Sequence, residues 1–125
     1  MAVKAIAKGV RISPRKVGVV ASLVRGRTVA DAVTILDHTQ RRAATAVKKA
    51  IQSAAANADH NHNYKPGTLN ITHISVTAGP RIKRFRPASH GRALPFQRRT
   101  SHILVEVDGE MRAPKKSVTA AKEAK

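Results

Sequence analysis

A block of like charge between two alternating apolar segments limits the folds open to this chain more than any other feature. From His60 through Val105 there is no Asp or Glu, and inside that stretch lie Arg81, Lys83, Arg84, Arg86, Arg92, Arg98 and Arg99. Apolar content between residues 81 and 99 is little more than Ile82, Phe85, Leu94 and Phe96, too little to bury a core. A loop of this length inside a compact domain is as a rule functional or disordered. Residues 69–79 and 99–107 on either side read as strands, so the block is expected to form a two-stranded ribbon, marginal in water by itself. Pro87, Gly91 and Pro95 put its turn within about Arg86 to Phe96. Arms extended at ~3.4 Å per residue project on the order of 30 Å.

The whole chain shares this bias. Lys plus Arg number 24 against 7 Asp plus Glu, for a formal charge of +17 and a pI near 11.7. Self-repulsion at that charge calls for a polyanion. An anionic membrane fits poorly: no apolar run approaches the ~18 residues that span a bilayer. Residues 1–12 alternate Lys with apolar side chains, unlike the uninterrupted core of a signal peptide, and there is no Trp. The absence of Cys excludes a disulfide framework, thiolate chemistry and a zinc ribbon. A nucleic acid in the cytoplasm is the expected partner. With 125 residues and 2% aromatics, the chain is expected to be one domain with a core of Val, Ile, Leu and Ala.

Residues 2–12 read as a strand with Ile6, Val10 and Ile12 in one phase. Ser13-Pro14 then starts a helix, the Ser hydroxyl capping and Pro taking the first position. Val17, Val20, Ala21 and Val24 form its buried stripe, and Gly26 stops it. Thr28 caps a second helix with the stripe Val29, Ala32, Val33 and Leu36, and Asp31 suits its positive end. Thr39 is expected to cap a third helix, reaching about Asp59 and burying Ala44, Val47, Ile51, Ala54, Ala55 and Ala58. His60 to Thr68 carries loop chemistry. Ile103, Val105 and Val107 alternate with Leu104 and Glu106 as in a half-buried strand. Leu69 and Ile71 stand out of phase with Ile74 and Val76, which predicts a bulge near His73.

Arg outnumbers Lys in the ribbon, favouring bidentate phosphate contacts, and Phe85 and Phe96 have the rings to stack on unpaired bases. The bland reading is a solvated charge run. The flanking strands and the regular Arg spacing argue against it. Nothing points to catalysis: the acids are scattered, and Ser13 has no base beside it. His60 and His62 read as a polar loop, not a metal site, given no Cys and only Asp59 nearby. His73 reads as a packed or hydrogen-bonded strand residue. A nucleoid-type DNA-bending protein with a basic β-arm is the alternative, with Pro87 as a minor-groove wedge. That class needs an apolar dimer interface, whereas this chain reads as monomeric.

Five stretches carry a resemblance: Arg11-Ile-Ser-Pro-Arg-Lys-Val17, Ser53-Ala-Ala-Ala-Asn-Ala58, Gly79-Pro-Arg-Ile-Lys-Arg-Phe-Arg-Pro87, Gly91-Arg-Ala93 and Arg99-Thr-Ser-His-Ile103. In order and spacing the chain resembles the universal L-twenty-two family of large-subunit ribosomal proteins, in its bacterial form. The resemblance implies an α+β body with three helices on a small antiparallel sheet and a protruding β-hairpin at about residues 78–102. Residues 1–107 would be a single rRNA-binding domain; the resemblance does not cover 108–125, which read from their Lys, Ala, Ser and Pro as a basic flexible tail. It also implies rRNA contacts at Arg11, Ser13, Arg15 and Lys16 on the body. On the hairpin it implies them at Arg81, Lys83, Arg84, Arg86, Arg92, Arg98, Arg99 and His102. The tip, Ala88, Ser89, His90, Gly91, Arg92 and Ala93, would line the nascent-peptide exit tunnel beside large-subunit protein four, near nascent peptide and macrolides. No cofactor is implied. Ala88 departs from the pattern, for many members carry a second Arg directly after Arg86-Pro87.

Overall fold

The computed structural model describes residues 2–113. Its elements run β1 (Val3–Val10), α1 (Pro14–Val24), α2 (Val29–His38), α3 (Arg42–His62), β2 (Asn70–Ala78), β3 (Ile82–Pro87), β4 (Ala93–Arg98) and β5 (Ser101–Asp108). Alternation in β5 organises the body: Ser101, Ile103, Val105 and Val107 are wholly buried, while the residues between them are half-buried. β5 is the middle strand, antiparallel to β1 on one side and β2 on the other. The helices supply the other layer, giving the α+β architecture expected.

Lysine decides the phase of β1. Lys4 and Lys8 share their face with Ile6, so burying Ile6 would take two ammonium groups out of water, a cost no single apolar side chain offsets. Pairing Val3 with Val107 and Ala5 with Val105 therefore turns Val3 and Ala5 inward, and Ile6 is 57% exposed opposite Leu104. Ile6 therefore does not share the face of Val10 and Ile12, as its expected phase had it. A register shift between Ala7 and Val10, at Gly9 with φ +70°, brings Val10 and Ile12 back against the core. In β2 the predicted bulge falls between Ile71 and His73, so both Ile71 and Ile74 are buried. His73 itself is exposed and not packed as expected.

Val17, Val20, Ala21 and Val24 of α1 have no exposed surface. Ser13 is its N-cap through its carbonyl, which accepts from the Lys16 and Val17 amides at 3.1 and 3.2 Å; the hydroxyl makes no capping bond. In α2 the Thr28 hydroxyl does accept from the Asp31 amide, at 3.3 Å. Thr39 closes α2 and does not open α3: its amide donates to Leu36 O and its hydroxyl to Ile35 O. The third helix begins at Arg42 and runs on through His62 to Asn63, whose left-handed φ of 54° ends it. Ala43, Ala44, Val47, Ala50, Ile51, Ala54 and Ala58 form its buried face. Small side chains there let α3 lie across β1 and β5 while touching α1 and α2.

Past β5 the chain doubles back on the end of α3. Lys65 N–H donates to Glu110 O, Arg112 N–H donates to Asn63 O, and Arg112 Nη2 lies 3.0 Å from Asp59 Oδ1. The segment read as a flexible tail therefore starts as an ordered return, and residues 114–125 lie outside the described residues. Beneath the return, Tyr64 is buried. Burial first, then the charge of Asp108 and the hydrogen bond its carboxylate accepts, push the Tyr64 pKa up.

Two outcomes follow for the body. Ile51→Ala leaves a cavity under α3 and should lower stability by about 2–4 kcal/mol in chemical denaturation, with a loss well under 1 excluding the central role of this face. Tyr64 is the sole tyrosine, so phenolate absorbance reports it alone. Because folding raises its pKa, its contribution to stability is complete below the ordinary tyrosine value and is lost as pH rises through the folded one. The titration midpoint should lie above that of free tyrosine and fall back in Asp108→Asn.

Candidate nucleic-acid interface

The β2–β5 ladder ends at the pair Ala78–Ser101, and there the chain narrows to a neck. Gly79 N–H donates to Thr100 O at 2.9 Å, and the Thr100 hydroxyl donates to Pro80 O at 2.7 Å. A Cβ on Gly79 would lie 2.5 Å from Thr100 Oγ1, so only glycine permits this approach. Beyond the neck β3 and β4 form their own two-stranded sheet, from Ile82–Arg98 to Pro87–Ala93. Their six-residue arms alone span roughly 20 Å. At the end, Ala88 N–H donates to Arg92 O at 2.7 Å across a turn in which His90 and Gly91 have φ of 62° and 69°. The tip residues Ala88, Ser89, His90, Gly91, Arg92 and Ala93 thus hold their shape by backbone bonding.

Strand register sorts the basic residues by face. Arg84, Arg86 and Arg98 lie on one face with Ile82, Leu94 and Phe96, and Lys83 lies on the other. The Arg86 guanidinium sits 4.7 Å above the Phe96 ring, which holds it outstretched. Arg81 reaches Gln97 Oε1 at 3.4 Å near the neck, and Arg92 Nε reaches Ser89 O at 3.4 Å in the tip. His102 lies in β5, its Nδ1 accepting from the Gly9 amide at 3.1 Å.

Body and hairpin meet in a cleft of about 450 Å³ lined by Arg11, Ile12, Ser13, Lys16, Arg41, Arg42, Ala43, Gln97, Arg98 and Arg99. Residues assigned separately to the two parts, Arg11, Ser13 and Lys16 against Arg98 and Arg99, thereby share one surface. Arg15, exposed in the first turn of α1, is outside that lining. The sequence reading missed Arg41 and Arg42. In the structure α3 begins with them, without a capping side chain and without an acid in its first turn. Two guanidinium groups at the positive end of a helix are mismatched until an anion arrives. A shallower groove along α3 continues the basic surface past Arg42 to Lys49.

Charge compensation is confined to the body. The ion pairs among the described residues join Lys4 to Glu106, Lys48 to Asp37, Lys65 to Glu110 and Arg112 to Asp59. No cation of the hairpin or the cleft takes part in one. His60 and His62 fall in the last turn of α3, on different faces, and His62 packs edge-on against Tyr64. Pro87 ends a paired strand, with His90 and not a proline at the turn.

An α+β body carrying an unneutralised cleft and arm presents the kind of surface that suits a polyanion, nucleic acid above all. Comparison with known proteins gives the particular kind. The profile of the family described as Ribosomal protein L22p/L17e matches residues 5–108. The large ribosomal subunit protein uL22 of Oceanobacillus iheyensis is 50% identical over 107 residues, covering 86% of this chain and 95% of that protein. The chain belongs to the ribosomal protein L22p/L17e family and is a structural protein, not an enzyme.

Salt dependence tests the surface directly. With about five phosphates engaged by the hairpin, those contacts should contribute about −4 to the slope of log affinity for rRNA against log salt, and the cleft arginines should steepen it further. Replacing Arg84 and Arg86 with Ala should flatten the slope by roughly two units, and replacing Arg41 and Arg42 by a similar amount. A slope that stays put in either pair removes that pair from the phosphate contacts.

Proposed function

We propose that this protein is a structural constituent of the large ribosomal subunit in the cytoplasm, binding large-subunit rRNA and aiding its assembly beside other ribosomal proteins. The observation that carries the reading is the continuity of uncompensated charge from Arg41 and Arg42, through the neck cleft, to Arg92 near the tip. The rRNA ligands are Arg11, Ser13, Arg15, Lys16, Arg81, Lys83, Arg84, Arg86, Arg92, Arg98, Arg99 and His102, with Arg41 and Arg42 added from the cleft. The hairpin passes inward between rRNA helices, and its tip lines the nascent-peptide exit tunnel, facing nascent peptide and macrolides. Two features support the tip assignment: its backbone closes on itself, and Arg92 is its one Lys or Arg. A DNA-bending role is set aside, because family membership points to ribosomal RNA and no proline occupies the turn.

Tip and arms are separable by experiment. Residues 88–92 can be replaced by Asn-Gly, which joins the paired Pro87 and Ala93 through a two-residue turn. The arms keep the remaining basic residues, so the shortened protein should fold and still enter large subunits on sedimentation. Translation of a stalling reporter, and its response to macrolide, should change. Failure to enter subunits would sink the division of roles. Normal entry with unchanged stalling and drug response would remove the tunnel assignment and leave the rRNA-binding scaffold.

A further inference from the structure

The ribbon has two unlike faces. On one, Arg84, Arg86 and Arg98 stand among Ile82, Leu94 and Phe96; on the other lie Lys83, Phe85, Pro87, Ala93, Pro95 and Gln97. The two phenylalanines therefore have different fates. Phe96 is half-buried beneath Arg86, its ring already engaged, whereas Phe85 is 72% exposed. Phe85 stands directly opposite Pro95, and Pro87 follows on the same face. Both rings are rigid, so the three side chains make a small apolar platform that needs no ordering when something lands on it.

Charge decides what lands there. Lys83, Arg84 and Arg86 flank Phe85 in the chain, and no carboxylate occurs between residues 60 and 105. An apolar protein surface pressed onto Phe85 would cover Lys83, which shares its face, and draw that ammonium out of water without a partner. A single-stranded nucleotide segment suits both: a flat base for the ring and a phosphate for Lys83 beside it, while Arg84 and Arg86 stay free on the other face. We propose that Phe85, braced by Pro95 and Pro87, is a stacking platform for an unpaired rRNA base, on the face turned away from the phosphate-binding arginines. The hairpin then grips RNA differently on its two sides, by backbone charge on one and by a base on the other. This inference rests on the reading of the hairpin as an rRNA-binding arm.

The test uses the full chain and large-subunit rRNA stripped of protein. Phe85→Ala should weaken binding roughly 5- to 150-fold at every salt concentration, with the salt slope unchanged because stacking releases no counterions. Phe85→Leu keeps apolar area without a π-face and should behave like Phe85→Ala. Phe85→Trp should bind like the parent. As the chain has no other Trp, quenching of that indole on addition of rRNA reports stacking directly. Binding of Phe85→Ala or Phe85→Leu within twofold of the parent, or an unquenched indole in bound Phe85→Trp, overturns the platform. A parent chain that does not bind this rRNA at low salt instead refutes the rRNA reading itself. Exposure of Phe85 means thermal unfolding should not distinguish the variants, so a change in binding cannot be laid to misfolding.

Discussion

The double pairing of β5 is the constraint on which everything else depends. It is the centre of the three-stranded sheet, the floor beneath α3, and the return leg of the hairpin. Among the described residues β1, at the other end of the chain, pairs with β5 alone. The body therefore cannot close its sheet until the hairpin has been traversed. The arm is accordingly a second sheet joined to the end of the β2–β5 ladder, and it leaves the body where the strand that holds the core begins.

The charges are divided along the same line. Body acids are spent on body cations, as in Lys4–Glu106 across β1 and β5 or Arg112–Asp59 at the end of α3. These pairs are partly exposed and each is worth little to stability. Their larger effect is to leave the surplus concentrated at the neck, the cleft and the arm. Field strength there grows with every unpaired Arg, and with it the rate and salt sensitivity of association with a polyanion. The Arg86–Phe96 contact belongs to the same economy of form, giving an extended guanidinium support without neutralising it.

Much of this was legible in the residues. The stripe Val17, Val20, Ala21, Val24 and the alternation Ile103, Val105, Val107 state their buried faces outright, and the phase break between Ile71 and Ile74 announces the bulge. Where reading failed, a tertiary or a charge effect outweighed local preference. Ile6 looked like core until its company with Lys4 and Lys8 was weighed. Thr39 has the chemistry of a cap and spends it on the helix behind it. Arg41 and Arg42 lie far in sequence from Arg98 and Arg99, so no periodicity connects them; only packing of α3 against the β1–α1 turn creates their cleft. The inequality of Phe85 and Phe96 likewise depends on strand register, which the position of the turn fixes and composition does not.

The neck at Gly79 and Thr100 has a mechanical meaning. Two backbone-anchored hydrogen bonds and one missing Cβ join a sheet-bound body to an arm whose paired part alone is roughly 20 Å long. Such a joint is the fulcrum of a lever. A pivot of roughly 10° about it would carry the end of the paired arm some ~3–4 Å sideways, about one strand residue. Tight closure at the fulcrum is thus what converts the fixed position of the body into a fixed position of the tip.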